Sequence, residues 1–359
     1  MFAAALVCLV GTAVIAGALY RALRQRRAAS HLKIALPAGI DEEGFVRLGA
    51  IDQWVSIRGE DRANPVLLLL HGGPGMSYSL LTPLLRAWEE HFTVVQWDQR
   101  GAGKTFGRNG KRGSGDMTFA RLTDDGIELV EHLRSRLGHE RVVLLSSSMG
   151  TLVGLPMVKR RPDLFSAYVG TDLNTGMTDR AYRRTLERLR AIGETRAAAA
   201  LEGIGADGSR WDVRAWNLMA RSTGKTVEVG PRLEELFFPR ALLAPRHSLR
   251  DLVHLIAGVG FSTTRLFRQF MSFDARRLGA RFEVPFFVFQ GEADPFTLTE
   301  LAEEYFRSVD APTKHFALIR GAGHLAAFTR PEEFLAELLA HVRPLAAAVE
   351  DRSLSRRSG

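Results

Sequence analysis

An α/β domain with a mostly parallel sheet, helices on both faces and an inserted helical cap is the fold class this sequence predicts. Three observations predict it. Short continuous apolar runs, such as Val66–Leu70, Thr93–Trp97, 141–147 and 284–289, have the length and composition of strands covered on both faces. Amphipathic helical stretches alternate with these runs, which is the rhythm of parallel βαβ units. The rhythm breaks over 172–283, a region with helical patterns and no buried strand.

The 359 residues, 46% of them hydrophobic, suffice for one large domain with an insertion. The net charge of +8 resembles a nucleic-acid signal, yet its placement excludes one. Residues 21–33 hold five basic residues and no acid, and the tail 351–359 holds three arginines against Asp351, which leaves the body 34–350 at +1. No basic face for a phosphate backbone is implied, and no nucleic-acid partner is expected. The sole cysteine, Cys8, excludes an internal disulfide, and Val7 before it does not suit a lipoprotein site.

Residues 1–20 are uncharged in their side chains and mostly apolar, and are read as a transmembrane anchor. Arg21, Arg24, Arg26 and Arg27 follow at once, so 21–44 is a basic juxtamembrane segment and linker, with Pro37 and Gly39 in it. A cleaved signal would carry its positive charge before the apolar run. By the positive-inside rule the expectation is a single-pass membrane protein with its catalytic domain in the cytoplasm.

The first part of the core spans 45–171. Strands are expected at 45–48 and 53–58, then at Val66–Leu70, which ends in His71, Gly72, Gly73, Pro74 and Gly75. Three glycines and a proline in five residues allow unusual backbone angles and close approach to a ligand. The loop lacks the order of a dinucleotide fingerprint, and Asp98 stands where a phosphate-binding loop ending at Gly103, Lys104 and Thr105 needs glycine. His71 is expected to pin its loop, and Asp98 and Arg100 to bond neighbouring loops. Residues 80–90 read as a helix and 104–115 as a flexible loop. Phe119–Leu137 is an amphipathic helix with Asp124, Asp125, Glu128 and Glu131 on its solvated face.

Residues 172–283 form the cap, with helical patterns at 179–192, Leu233–Leu243 and 248–259. Trp211, Trp216 and Asn217 are candidates for lining a substrate pocket there. The second part of the core spans 284–348, and 349–359 is a disordered tail.

The chemistry centres on Ser146, Ser147, Ser148, Met149 and Gly150. Small-x-Ser-x-Gly between a buried strand and a helix is the nucleophile-elbow pattern, with serine in place of its first glycine. A serine hydroxyl needs a base, and a histidine base needs an acceptor that fixes its tautomer. Asp294 and His324 each follow a predicted strand, in the chain order Ser148, Asp294, His324 that such a sheet demands. Glu292 and Asp172 compete with Asp294 for the acid. The backbone N–H groups of Gly73 and Met149 are the expected oxyanion donors. No His-Glu-x-x-His motif is present, and no metal or cofactor is expected.

These motifs resemble the α/β-hydrolases of the proline iminopeptidase group. The resemblance rests on His71 to Gly75, Trp97 to Gly103, the Ser148 elbow, Gly291 with Asp294, and Gly323 with His324, and it covers 45–345. It implies an α/β-hydrolase fold and a serine hydrolase that cleaves an N-terminal proline, with cap glutamates binding the free amine. The sequence departs from that group at Met149 and Thr151 in the elbow, and at Trp216 and Asn217, where a Trp-Glu pair is usual. Asparagine carries no charge to hold an ammonium group. The expected partner is therefore a small-molecule or short-peptide substrate, as an ester or an amide.

Overall fold

The computed structural model describes residues 2–349, and for 2–8, 10 and 14 the backbone alone. Eight strands form one sheet: β1 Ile40–Leu48, β2 Ile51–Gly59, β3 Val66–Leu70, β4 Thr93–Trp97, β5 Val142–Ser147, β6 Phe165–Thr171, β7 Phe286–Gly291 and β8 Lys314–Ile319. Their order is β1-β2-β4-β3-β5-β6-β7-β8. The β1–β2 and β2–β4 pairs are antiparallel and all the others parallel.

Alternation along the strands divides the core in two. Val66, Leu68 and Leu70 of β3 join one buried cluster, while Leu67 and Leu69 join the other. Helices cover both faces. They include α1 Phe2–His31, α2 Gly103–Gly113, α3 Phe119–Leu137 and α4 Thr151–Arg160, then α5 Asp179–Ala191, α6 Thr195–Ile204, α7 Val213–Lys225, α8 Leu233–Leu243 and α9 Leu249–Ser272 of the cap, and α10 Thr299–Ser308, α11 Ala326–Thr329 and α12 Pro331–Glu337 beyond it. The ends of α3 are set locally. Thr118 accepts a hydrogen bond from the Arg121 N–H at 3.1 Å, and Gly138 leaves the helix in the left-handed region.

Several expectations need correction. The segment read as a flexible loop at 104–115 holds α2, because Asp98 Oδ2 accepts the Lys104 N–H at 2.7 Å and satisfies the first turn. Asp125 is not on a solvated face: it is fully buried against Arg100. Helical periodicity alone could not distinguish a solvated acid from one paired across the fold. The segment expected as a linker over 21–44 is helical to His31 and enters β1 at Ile40.

The N-terminal expectation is not borne out as a membrane span. Among the described residues, no helix is long and apolar enough to cross a membrane. α1 continues without interruption through Arg21, Arg24, Arg26 and Arg27, and part of the apolar run lies outside the described side chains. Of the expected tail, 350–359 lie outside the described residues, and residue 349 is helical.

Candidate active site

Strand order reverses between β3 and β5, and ligands in open parallel sheets gather outside the carboxyl ends at such a point. The loop after β3 and the turn after β5 meet there. Ser148 has φ of 52°, a strained value for a side chain with a Cβ, which turns its hydroxyl out of the strand. The turn closes because neighbouring residues are small. A Cβ on Gly150 would lie 2.6 Å from the Leu70 carbonyl oxygen, and one on Gly72 would lie 2.6 Å from Ser148 Cβ. Ser146 is tolerated in the glycine position because Gly154 of α4 faces it; a Cβ at Gly154 would come within 2.9 Å of Ser146 Cβ. The Ser146 hydroxyl meets that of Tyr168 at 2.6 Å.

Ser148, His324 and Asp294 come together in one hydrogen-bonded series. His324 Nε2 lies 3.2 Å from Ser148 Oγ, and His324 Nδ1 lies 2.8 Å from Asp294 Oδ2. Asp294 is buried and oriented by its own loop. Its Oδ1 accepts the N–H groups of Phe296 and Thr297 at 2.8 and 3.0 Å, and its Oδ2 accepts the Thr297 hydroxyl at 2.6 Å. Burial works to raise the Asp294 pKa, but the His324 charge and these hydrogen bonds outweigh it and hold the carboxyl below its ordinary range. Burial would depress His324, yet the charges of Asp294 and Asp172 lift it to about 9. Of the competing acids, Glu292 accepts the Gly321 N–H at 2.7 Å instead of meeting His324.

Asp172 is the residue whose place the sequence did not reveal. Fully buried, with φ of 50°, it accepts the Ser147 hydroxyl at 2.8 Å on Oδ2. Its Oδ1 accepts the backbone N–H groups of Leu325 and Ala326 at 2.8 and 3.2 Å. Burial raises its pKa, and the nearby Asp294 charge adds to the rise.

The loop after β3 is pinned as expected. His71 Nε2 accepts the Gln99 N–H at 3.3 Å, and the His71 carbonyl accepts from Gln99 Nε2 at 3.1 Å. Burial depresses His71 to about 4, so it is neutral here. Gly73, with φ of 72°, and Met149 both border a cavity of about 80 Å³ that reaches Ser148. Cap residues Trp216, Leu266, Phe267 and Phe270 supply much of its apolar wall, and no acid lines it. A larger groove lined by charged residues of both signs, among them Lys104, Arg108 and Asp251, lies apart from Ser148.

The three cap candidates separate. Trp216 is at the cavity and meets Phe270 edge-on at 4.9 Å between ring centres. Trp211 packs the cap's own core beside Tyr182 and donates to the Gly205 carbonyl at 3.0 Å. Asn217 is exposed and does not line the cavity, since adjacent helical residues point about 100° apart.

The cap is joined to the site loops backbone to backbone. Gly75, with φ of 70°, lies against the Gly258 carbonyl of α9, leaving no space for a Cβ. A Cβ at Gly258 would lie 2.9 Å from the Gly101 carbonyl oxygen, which also accepts the Ser262 hydroxyl at 2.9 Å. On the other side, a Cβ at Gly323 would lie 2.7 Å from the Val229 carbonyl oxygen, so the cap also rests on the residue before His324.

The family model described as "Alpha/beta hydrolase family" matches residues 67–338. A probable aminopeptidase of Bacillus subtilis, YbaC, is 27% identical over 305 residues, covering 82% of this chain and 94% of that protein. A proline iminopeptidase of Saccharolobus solfataricus is 30% identical over 151 residues, covering 41% of this chain and 46% of that protein. Among solved structures, a bacterial membrane phospholipase A superposes with a TM-score of 0.62 at 18% identity, covering 96% of this chain and 99% of that one.

Proposed function

This chain belongs to the alpha/beta hydrolase family, and on that footing we propose that it is a serine hydrolase acting through an acyl-enzyme on apolar carboxylic esters. The observation that carries the reading is the series Ser148, His324, Asp294 at the floor of an apolar cavity. Ser148 Oγ attacks the acyl carbon while His324 Nε2 takes its proton, and Asp294 holds the imidazole in the required tautomer. The N–H groups of Gly73 and Met149 receive the developing oxyanion. His324 then protonates the leaving oxygen, and a water activated by the same imidazole releases the acid.

The lining decides between ester and amino-terminal amide. An N-terminal prolyl substrate brings an ammonium group, which is costly to bury without a carboxylate partner. The cavity walls offer Trp216, Leu266, Phe267 and Phe270 and no acid. The similarity to named aminopeptidases keeps prolyl amides as the second reading. We also read residues 2–20 as lipid-seeking, on their uncharged composition and the arginines that follow.

The test compares kcat/KM on short and medium acyl aryl esters with that on a prolyl arylamide, using Ser148→Ala as control. Ester turnover that vanishes in the variant is the expected result. Preference for the prolyl amide would overturn the ester reading, and full activity in Ser148→Ala would overturn the nucleophile.

A further inference from the structure

Ten of the fourteen large apolar side chains exposed among the described residues lie on α1, α8 and α9. Exposed apolar residues scattered singly are ordinary, whereas a concentration on neighbouring helices marks a surface that meets something. These helices are neighbours. Arg21 Nε of α1 donates to the Leu242 carbonyl at 2.9 Å, and Gln25 Nε2 donates to the carbonyls of Ala244 and His247 at 2.7 and 2.9 Å, where α8 turns into α9.

The exposed residues also recur at helical spacing. Leu249, Val253 and Ile256 fall on one face of α9, and Phe238 and Leu242 on one face of α8. Leu19 and Leu23 do the same on α1. Arg24, Arg26, Arg27 and Arg250 are exposed on the same helices, and no hydrogen bond or ion pair engages their side chains among the described residues. No acid precedes Asp41 in the chain. Apolar stripes edged by unpaired arginines have the composition of a helix lying in the headgroup region of an anionic bilayer.

α9 carries a second stripe further along. Leu266, Phe267 and Phe270 in its last turns line the cavity over Ser148. One helix thus presents its early turns outward and its late turns to the site. We propose that α8 and α9, with α1 beside them, seat on an anionic lipid surface, and that the site takes acyl esters dissolved in that surface. The substrate half of this inference rests on the hydrolase reading of Ser148; the seating half does not.

The experiment uses the full chain and vesicles of phosphatidylcholine with or without phosphatidylglycerol. Leu249, Val253 and Ile256 are replaced together by serine, with Ile192→Ser, an exposed residue just past α5, as control. The triple variant should hydrolyse a vesicle-borne long-chain ester at least about tenfold more slowly, while its turnover of a soluble short ester stays within about twofold of wild type. Ile192→Ser should change neither. Unchanged hydrolysis of the vesicle-borne ester by the triple variant would overturn the inference.

A second readout is independent of activity. An environment-sensitive dye on Val253→Cys, in a Cys8→Ser background, should shift its emission to the blue with anionic vesicles more than with zwitterionic ones. No shift overturns the seating and points to a protein partner for the face. A shift in a chain that cleaves no ester retains the seating and overturns the substrate half.

Discussion

Asp172 Oδ1 accepts the backbone N–H of Leu325, the residue next to His324, at 2.8 Å. Through its other oxygen the same carboxyl holds the hydroxyl of Ser147, the residue before Ser148. One buried acid therefore ties the turn that carries the hydroxyl to the loop that carries the imidazole. Leu325, at φ of 63°, needs such an anchor to keep an uncommon backbone angle.

Two substitutions separate the holding role from the charge. Asp172→Ala leaves two buried N–H groups without an acceptor, at about 1–3 kcal/mol each, and should lower Tm along with kcat. Asp172→Asn retains a carbonyl oxygen for Leu325 and Ala326 but removes the negative charge that lifts His324. Activity requires neutral imidazole and rises with pH through its pKa. The acid limb of kcat/KM should therefore move to lower pH in Asp172→Asn, and an unmoved limb in a folded variant would remove Asp172 from the electrostatics of the site.

Acid should destabilise the fold through His71. Its ordinary value of 6.5 falls to about 4 on burial, so as pH drops the unfolded chain binds the proton first. The contribution to stability is complete above about 6.5 and is lost progressively toward about 4, reaching on the order of 3 kcal/mol. His247, also depressed to about 4 by burial, acts in the same direction. Urea unfolding at pH 7 and pH 5 should show the loss, and His71→Asn should flatten it.

Arg100→Ala should cost about 1–3 kcal/mol, read from urea unfolding, because it takes two hydrogen bonds from buried Asp125 while Arg121 Nε, at 2.9 Å, remains. Arg100 Nε and Nη2 meet Asp125 at 2.7 and 3.0 Å, and its remaining donors hold the carbonyls of Ser114 and Gly49 at 2.7 and 2.8 Å. A loss below about 1 kcal/mol, the range of exposed pairs, would mean that water reaches the carboxylate.

Trp216→Ala should widen the cavity over Ser148 and shift preference toward longer acyl groups. The expected readout is a rise in the ratio of kcat/KM for medium over short acyl aryl esters, with the short ester changed little. An unchanged ratio would place the acyl group against another wall.

The positions of Ser148, Asp294 and His324 were legible because each lies in the turn or loop that leaves a strand whose apolar run announces it. Gly72 and Gly73 were legible for the same reason. Asp172 also follows a strand, but its partners at Leu325 and Ala326 are more than 150 residues away, and no local pattern encodes a side chain to backbone bond of that range. Asp125 was misread as solvated because its partner Arg100 comes from another loop. α2 was missed because its polar, glycine-rich composition conceals a helix that is started by a carboxylate outside it, Asp98. Trp211 and Trp216 look alike in sequence, yet Trp211 sits in extended backbone before α7 and turns into the cap's core, whereas Trp216 on α7 faces the cavity.

The seam between Gly75 and Gly258 has a consequence for how this scaffold can diversify. With no side chains in between, α9 has no slack against the loop after β3, and its position is set before any substrate arrives. Little ordering entropy then remains to be lost on binding, and selectivity works by fit to a fixed shape. New substrate ranges would come from exchanging Trp216, Leu266 or Phe270 one at a time. A methyl group added at Gly75 would instead displace the cap and the oxyanion loop together.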